Sequence, residues 1–257
     1  MTRKLYNPKN INSQTWAWNI AVLVSILFLV YLPSKEALTT GNQSEGYLEL
    51  LLLLPAGIFY TLLVTFLGSS AAIFVGLVVG LGKLSKNSAV RLSVSFYTEI
   101  LRGVPLLVLL FYIYYALGEF IHMPALFAAV AGFGFSYGAY MADVFRSGIE
   151  AVPKEQGEAA RSLGMNEKQA LTQIILPQSM KTIIPAIGNQ TLGMLKDTSL
   201  VSVLAISDIL RVGNEYATKH FNFFETYTYV ALTYLLITLL LSRIVYKLEF
   251  RYRIENN

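Results

Sequence analysis

No cysteine occurs in this sequence, and the two histidines, His122 and His220, stand far apart. Disulfides, a redox pair and a thiolate metal site are therefore excluded, while the compartment stays open. No spacing of histidines or carboxylates resembles a ligand set, so no catalytic metal is expected. Charge is also scarce, at 14% of residues against 54% hydrophobic, with a mean hydropathy of +0.52. A soluble domain of this length carries far more polar material, so the chain reads as an integral membrane protein. A nucleotide site is lacking as well. The nearest phrase to a P-loop, Leu77 to Leu84, ends Gly82-Lys83-Leu84, without the hydroxyl or the leading glycine that the loop requires. No convergent acid, base or nucleophile constellation suggests an enzyme. The net charge of +4 fits cations flanking membrane spans better than nucleic-acid binding.

What the sequence has in quantity is uncharged runs. A helix needs roughly 20 apolar residues to cross the hydrocarbon core. Six candidates emerge: Trp16 to Leu32, Leu50 to Gly82, about Phe96 to Leu117, about Met123 to Ala142, Thr182 to Ser207, and Thr226 to Ser242. The first carries Trp16 and Trp18 where interfacial aromatics belong; its rival reading, a cleaved signal peptide, lacks a small-x-small site near Pro33. The second is too long for one upright span, and Pro55 with Gly57 predicts that its first turns lie in the interface or belong to a separate short helix, with the span proper beginning near Ile58. In the fourth, Gly132, Gly134 and Gly138 allow neighbouring helices to approach closely. No internal repeat or long linker divides the chain. We read residues 1–49 as a tail, a first helix and an outer loop, and residues 50–257 as one transmembrane domain.

Charge asymmetry orients these spans. With both termini cytoplasmic, the inner side holds fifteen Lys and Arg residues, including Lys83, Lys86, Arg91, Arg146 and Lys154, and the outer side only Lys35, Arg211 and Lys219. That is a strong positive-inside bias, with Arg102 and Lys196 left at membrane depth. The polar loop at about 143–181 then faces the cytoplasm. Within it, Glu158-Ala159-Ala160-Arg161-Ser162-Leu163 favours a short helix, and Gly164 suits a left-handed cap. Asn166 and Gln169 are spaced as an N-cap with its reciprocal partner, starting a second helix expected to end before Pro177. The pattern predicts a helix-stop-helix elbow. An amphipathic loop lying on the membrane is the alternative.

Several motifs together carry a resemblance. Glu158-Ala159-Ala160, Gly164 and Ile174-x-Leu176-Pro177 resemble the docking cassette of membrane subunits of ATP-binding-cassette importers. Tyr97-x-Glu99-x-x-Arg102-Gly103-x-Pro105, Tyr137-Gly-Ala-Tyr140, Phe145-Arg-Ser-Gly-Ile149, Val152-Pro153-Lys154 and Leu195-Lys196-Asp197-Thr198-Ser199-Leu200 are similar to signatures of polar amino acid uptake permeases. The resemblance covers about Ile58 to Phe250. It implies an all-α membrane protein with a five-helix type I importer core plus an added N-terminal helix. It further implies a second permease subunit, two ATPase subunits carrying ATP and Mg, an extracytoplasmic amino-acid-binding protein, and the bacterial cytoplasmic (inner) membrane. Glu158 to Gly164 would then couple to the ATPase. Glu155 departs from the family, which commonly has glycine there, and would alter the local backbone. The rival class is a secondary transporter or channel for small polar solutes, which would have no use for the elbow.

Lys196 and Asp197 are the leading cargo candidates. A charge at membrane depth is costly unless paired or wetted, so ionisable residues there are functional candidates by default. With Pro185, Gly188 and Gly193 before the pair and Thr198 and Ser199 after it, a broken helix would present polar groups to a zwitterion. Asp197, Thr198 and Ser199 would engage the ammonium end, and Lys196 would balance Asp197 or meet a carboxylate; a structural ion pair is the alternative. Asn189 and Gln190 lie two turns earlier on the same segment. Relatives that take up arginine-like substrates often carry an acid at the Gln190 position, so the amide here favours neutral or acidic cargo. Glu99 and Arg102, three residues apart, read either as a structural pair or, with Pro105, as part of a gate.

Overall fold

The computed structural model describes residues 18–27, 31 and 44–254, and every regular element among them is helical. The helices are α1 (Trp18–Leu27), α2 (Ser44–Lys83), α3 (Ser88–Gly103), α4 (Leu106–Phe111), α5 (Ala125–Glu150), α6 (Lys154–Ser162), α7 (Glu167–Gln169), α8 (Leu176–Asp197), α9 (Ile209–His220) and α10 (Phe223–Ile254). Three of them, α2, α5 and α10, are long and apolar enough to cross a membrane, and α3 with α4 makes a fourth if the bent pair is one span. Residues 16–17, 28–30 and 32 of the first candidate, Trp16 to Leu32, lie outside the described residues, which give α1 as a short apolar helix.

Forty residues of α2 run without interruption through Pro55. The alternative of a separate short helix before Ile58 is therefore corrected. Gly57 serves close approach instead: a Cβ there would lie 3.0 Å from both the Cα and the N of Ile209, so the start of α9 packs directly on the α2 backbone. Glycines act alike where α5 crosses α2. A Cβ on Gly134 would fall 2.9 Å from the Ala71 Cβ, and one on Gly138 2.6 Å from Val75 Cγ1. Gly132 receives Leu110 of α4 in the same way, at 2.6 Å. Lipid offers helices no hydrophobic incentive to associate, so such backbone proximity and its dispersion contacts hold the bundle.

The span expected at about Phe96 to Leu117 is corrected to two helices bent by 101°. Val104 is extended, as a residue before proline prefers, and Pro105 (φ −57°, ψ 135°) starts α4. The fourth candidate does not stop at Ala142; α5 continues two turns to Glu150 and so carries Asp143 and Arg146. The fifth becomes α8 followed by a 3-10 turn, Thr198–Leu204.

One core gathers Val64 and Ala72 of α2, Leu110 of α4, Phe133 and Met141 of α5, and Ile183 and Met194 of α8. A second joins Leu50 and Leu54 to Ile209 and Tyr216 of α9 and Tyr229 of α10. Outside both, large side chains such as Phe59, Phe66, Phe74 and Phe224 are 60–79% exposed. Such a surface would aggregate in water, but it suits acyl chains.

Candidate functional site

The polar elbow folds as its caps dictate. At Gly164 (φ +86°) the chain reverses: Met165 N–H donates to Ala160 O at 3.1 Å and Gly164 N–H to Arg161 O at 2.9 Å. This pair of bonds is the Schellman stop, and it needs the left-handed residue that glycine supplies cheaply. Asn166 Oδ1 then accepts from Gln169 N–H, and Gln169 Oε1 from Asn166 N–H, both at 2.9 Å, completing the capping box. Glu155 leaves the backbone regular; it sits in the first turn of α6, where its charge favours the helix dipole.

Gly157 and Ala160 are buried on the inner face of α6, while Glu158, Ala159, Arg161, Ser162, Leu163 and Gly164 are exposed. Leu163, at the tip, is 82% exposed. An ion pair from Lys86 to Glu167 ties the elbow to the α2–α3 loop. The Lys86 ammonium holds the Glu167 carboxyl below its ordinary range.

Beyond the elbow the structure departs from expectation. The second helix does not end before Pro177, because residues 170–175 form a π segment that leads straight into α8 with proline in its first turn. A proline ring clashes with the carbonyl four residues back and offers no N–H to it; the wider π turn relieves both conflicts. The helical rod from Glu167 to Asp197 is therefore continuous, about 45 Å at 1.5 Å per residue.

At the far end of that rod lies a cavity of about 430 Å³, lined by Arg102, Ser136, Tyr137, Tyr140, Gln190 and Asp197 together with the Val104–Leu106 corner. Tyr137 donates its hydroxyl to Asp197 Oδ2 at 2.7 Å. Its ring stacks on Phe133, with centroids 6.0 Å apart. Of the residues expected from the sequence to hold cargo, Gln190 and Asp197 are brought together here. Asn189 and Lys196 are exposed outside the lining. Thr198 is fully buried with its hydroxyl on Leu195 O, and Ser199 bonds Lys196 O, so neither hydroxyl faces the cavity. No ion pair joins Lys196 to Asp197, since neighbours in a helix point about 100° apart.

Glu99 and Arg102 do not pair with each other either. Arg102 instead meets Asp143 of α5, donates to Ala139 O at 3.1 Å and lies over the Tyr140 ring at 4.9 Å. Lys83, from the end of α2, donates to the other Asp143 oxygen at 2.7 Å. Asp143 was invisible as a site residue because it falls just past the expected end of its span; a lone acid in an apolar run was the available signal. On the elbow side of this triad is a second cavity of about 410 Å³, lined by Lys83, Arg91, Ser95, Glu99, Asp143 and Arg146, with Arg102 in its wall as well. Among the described residues no cluster of histidines and carboxylates could hold a metal ion.

Residues 72–254 match the family described as binding-protein-dependent transport system inner membrane component. A probable amino-acid permease protein of Bacillus subtilis, YxeN, is 39% identical over 175 residues, 66% of this chain and 78% of its own length. The L-cystine transport system permease protein TcyB of the same organism is 33% identical, over 77% of this chain and 86% of its own. A solved amino acid ABC transporter with histidines superposes with a TM-score of 0.75 and 37% identity, covering 79% of this chain and 96% of that one.

Proposed function

Because this chain belongs to the family of inner membrane components of binding-protein-dependent transport systems, we propose that it is the permease subunit of an ATP-driven importer of polar amino acids. It works in the bacterial cytoplasmic membrane with both termini inside, beside a second permease subunit. Two ATPase subunits, which hold ATP and Mg, dock at Glu158 to Gly164, and an extracytoplasmic binding protein delivers the cargo. One observation carries the reading: an exposed elbow with an apolar tip is joined by an unbroken helical rod to the cavity aspartate. A rigid connection of that kind serves a push applied from outside the chain.

Asp197, supported by the Tyr137 hydroxyl, receives the cargo ammonium, and Gln190 offers a neutral amide. The lining carries one carboxylate, which the ammonium consumes. A cationic cargo side chain would find no second acid, so neutral or acidic amino acids fit best. Arg102, with Pro105 at the corner, forms the gate between the two cavities. Alternating access needs about 5.5 kcal/mol to swing an equilibrium from 1:99 to 99:1, and ATP-driven closure of the ATPases supplies it through the elbow.

The test is co-purification with an ATPase whose hydrolysis is stimulated by liganded binding protein. Glu158→Lys should abolish that stimulation and leave the permease folded. Ion-coupled uptake without any ATPase, or ATP-driven uptake retained in the variant, would refute it.

A further inference from the structure

The two cavities share one residue, Arg102, and each contributes one carboxylate that is not consumed by a cation. In the outer cavity this is Asp197, whose bond is to a tyrosine hydroxyl. In the inner one it is Glu99, which makes no ion pair among the described residues. Asp143, by contrast, holds two cations at once. If Arg102 lets go, Asp143 stays neutralised by Lys83 at 2.7 Å. An arginine so placed can trade one carboxylate for another without stranding a buried charge, which is the usual penalty for breaking such a pair. Its planar fork is suited to accepting a carboxylate through two parallel hydrogen bonds.

From this arrangement we propose that the inner cavity is a second, transient site for the α-amino acid cargo, resting on the importer reading above. The cargo carboxylate displaces Asp143 from Arg102 and stays on the guanidinium, while the ammonium transfers from Asp197 to Glu99. Lys83 holds Asp143 meanwhile. The inner lining, with Arg91 and Arg146 added to Lys83 and Arg102 against Asp143 and Glu99, keeps a positive balance that favours arrival of the carboxylate. Amino acids with a free carboxylate occupy this station; their α-carboxamides, which have no anionic end, do not.

Native absence of cysteine makes a direct test available. Ser95→Cys reports on the inner cavity and Val104→Cys on the outer one, each in the full chain assembled with its ATPase in inside-out vesicles. Thiol labelling is followed with an equimolar mixture of the nineteen protein amino acids other than cysteine, whose own thiol would consume the reagent, or with the matching α-carboxamides. At ten times the dissociation constant, occupancy should slow labelling about tenfold. Amino acids should protect both reporters and carboxamides should spare the inner one, and Glu99→Gln should remove inner protection while keeping the outer. Equal protection of Ser95→Cys by carboxamides overturns the proposal, with Glu99 intact and no concern about folding. So does inner protection that survives Glu99→Gln. Protection of Val104→Cys alone overturns the second site and leaves the importer reading standing; protection of neither reporter removes the cargo cavity as well.

Discussion

Replacing Asp197 by asparagine isolates the charge at the centre of the outer cavity. The amide is nearly the same size and can still accept from the Tyr137 hydroxyl 2.7 Å away, so the stack of Tyr137 on Phe133 is undisturbed. In the proposed importer, what is lost is the ionic half of the bond to the cargo ammonium. Hydrogen bonds to charged groups contribute about 1.5–3 kcal/mol net, against about 1 kcal/mol for neutral ones. The difference, roughly 0.5–2 kcal/mol, sets a minimum weakening of about two- to thirtyfold at 1.4 kcal/mol per decade. Tyr137→Phe leaves the carboxylate charged and its ring stack in place, so it should cost less, under tenfold. The assay is equilibrium binding of labelled amino acids to the purified permease–ATPase complex without the binding protein, whose own selectivity would otherwise mask the effect. An Asp197→Asn affinity equal to wild type, or a Tyr137→Phe loss exceeding it, would show that Asp197 does not receive the ammonium.

Three further outcomes rest on packing and on the elbow. Gly138→Leu places a Cβ 2.6 Å from Val75 Cγ1, and overpacking of this kind costs about 1–3 kcal/mol; the temperature at which half the protein stays monodisperse in detergent should fall by several degrees. Gly103→Ala, whose Cβ meets nothing within 4 Å, should be neutral or stabilising by the same measure, since alanine is favoured in helices by up to about 1 kcal/mol. For the Lys86–Glu167 pair, the lowered carboxyl of Glu167 means its tether is complete above the ordinary glutamate range and fades as pH falls through the lowered value. Hydrogen exchange at the elbow amides, corrected for intrinsic rates, should therefore rise on acidification in the wild type and show no such step in Glu167→Gln.

Local features were legible in the sequence, and non-local ones were not. Gly164 and the Asn166–Gln169 box announce the elbow because caps are decided within five residues, and the structure realises both. The glycines of α5 were likewise readable as close-approach positions. Pro55 and Pro177 misled for a shared reason: a proline forbids a specific backbone bond, not a helix, when a neighbour or a π turn absorbs the conflict. Lys196 beside Asp197 misled in the opposite way, since adjacency in sequence is divergence on a helix. Asp143 was missed because its partners, Lys83 and Arg102, come from other helices, sixty residues away in the first case.

These corrections converge on one physical point. Had the elbow's second helix ended before Pro177, motion at Glu158 would have been lost in a flexible joint. The π segment removes that joint, so α7 and α8 form one helical body, which α6 meets through the Gly164 turn and by the packing of Gly157 near Ile175. Because Asp197 is the last α-helical residue, where a 3-10 turn begins, a push on the rod under the proposed mechanism would reach the cavity wall that carries Asp197. Arg102 and Tyr137 belong to different helices from Asp197 and are fixed to α5, by the Asp143 and Ala139 contacts in one case and by the backbone in the other. Movement of α8 against α5 therefore changes the spacing between the carboxylate and the guanidinium that face the cavity. In the proposed importer, the carboxylate and the guanidinium offered to a zwitterion are thus carried on different elements, one on the rod that leaves the elbow and the other fixed to α5.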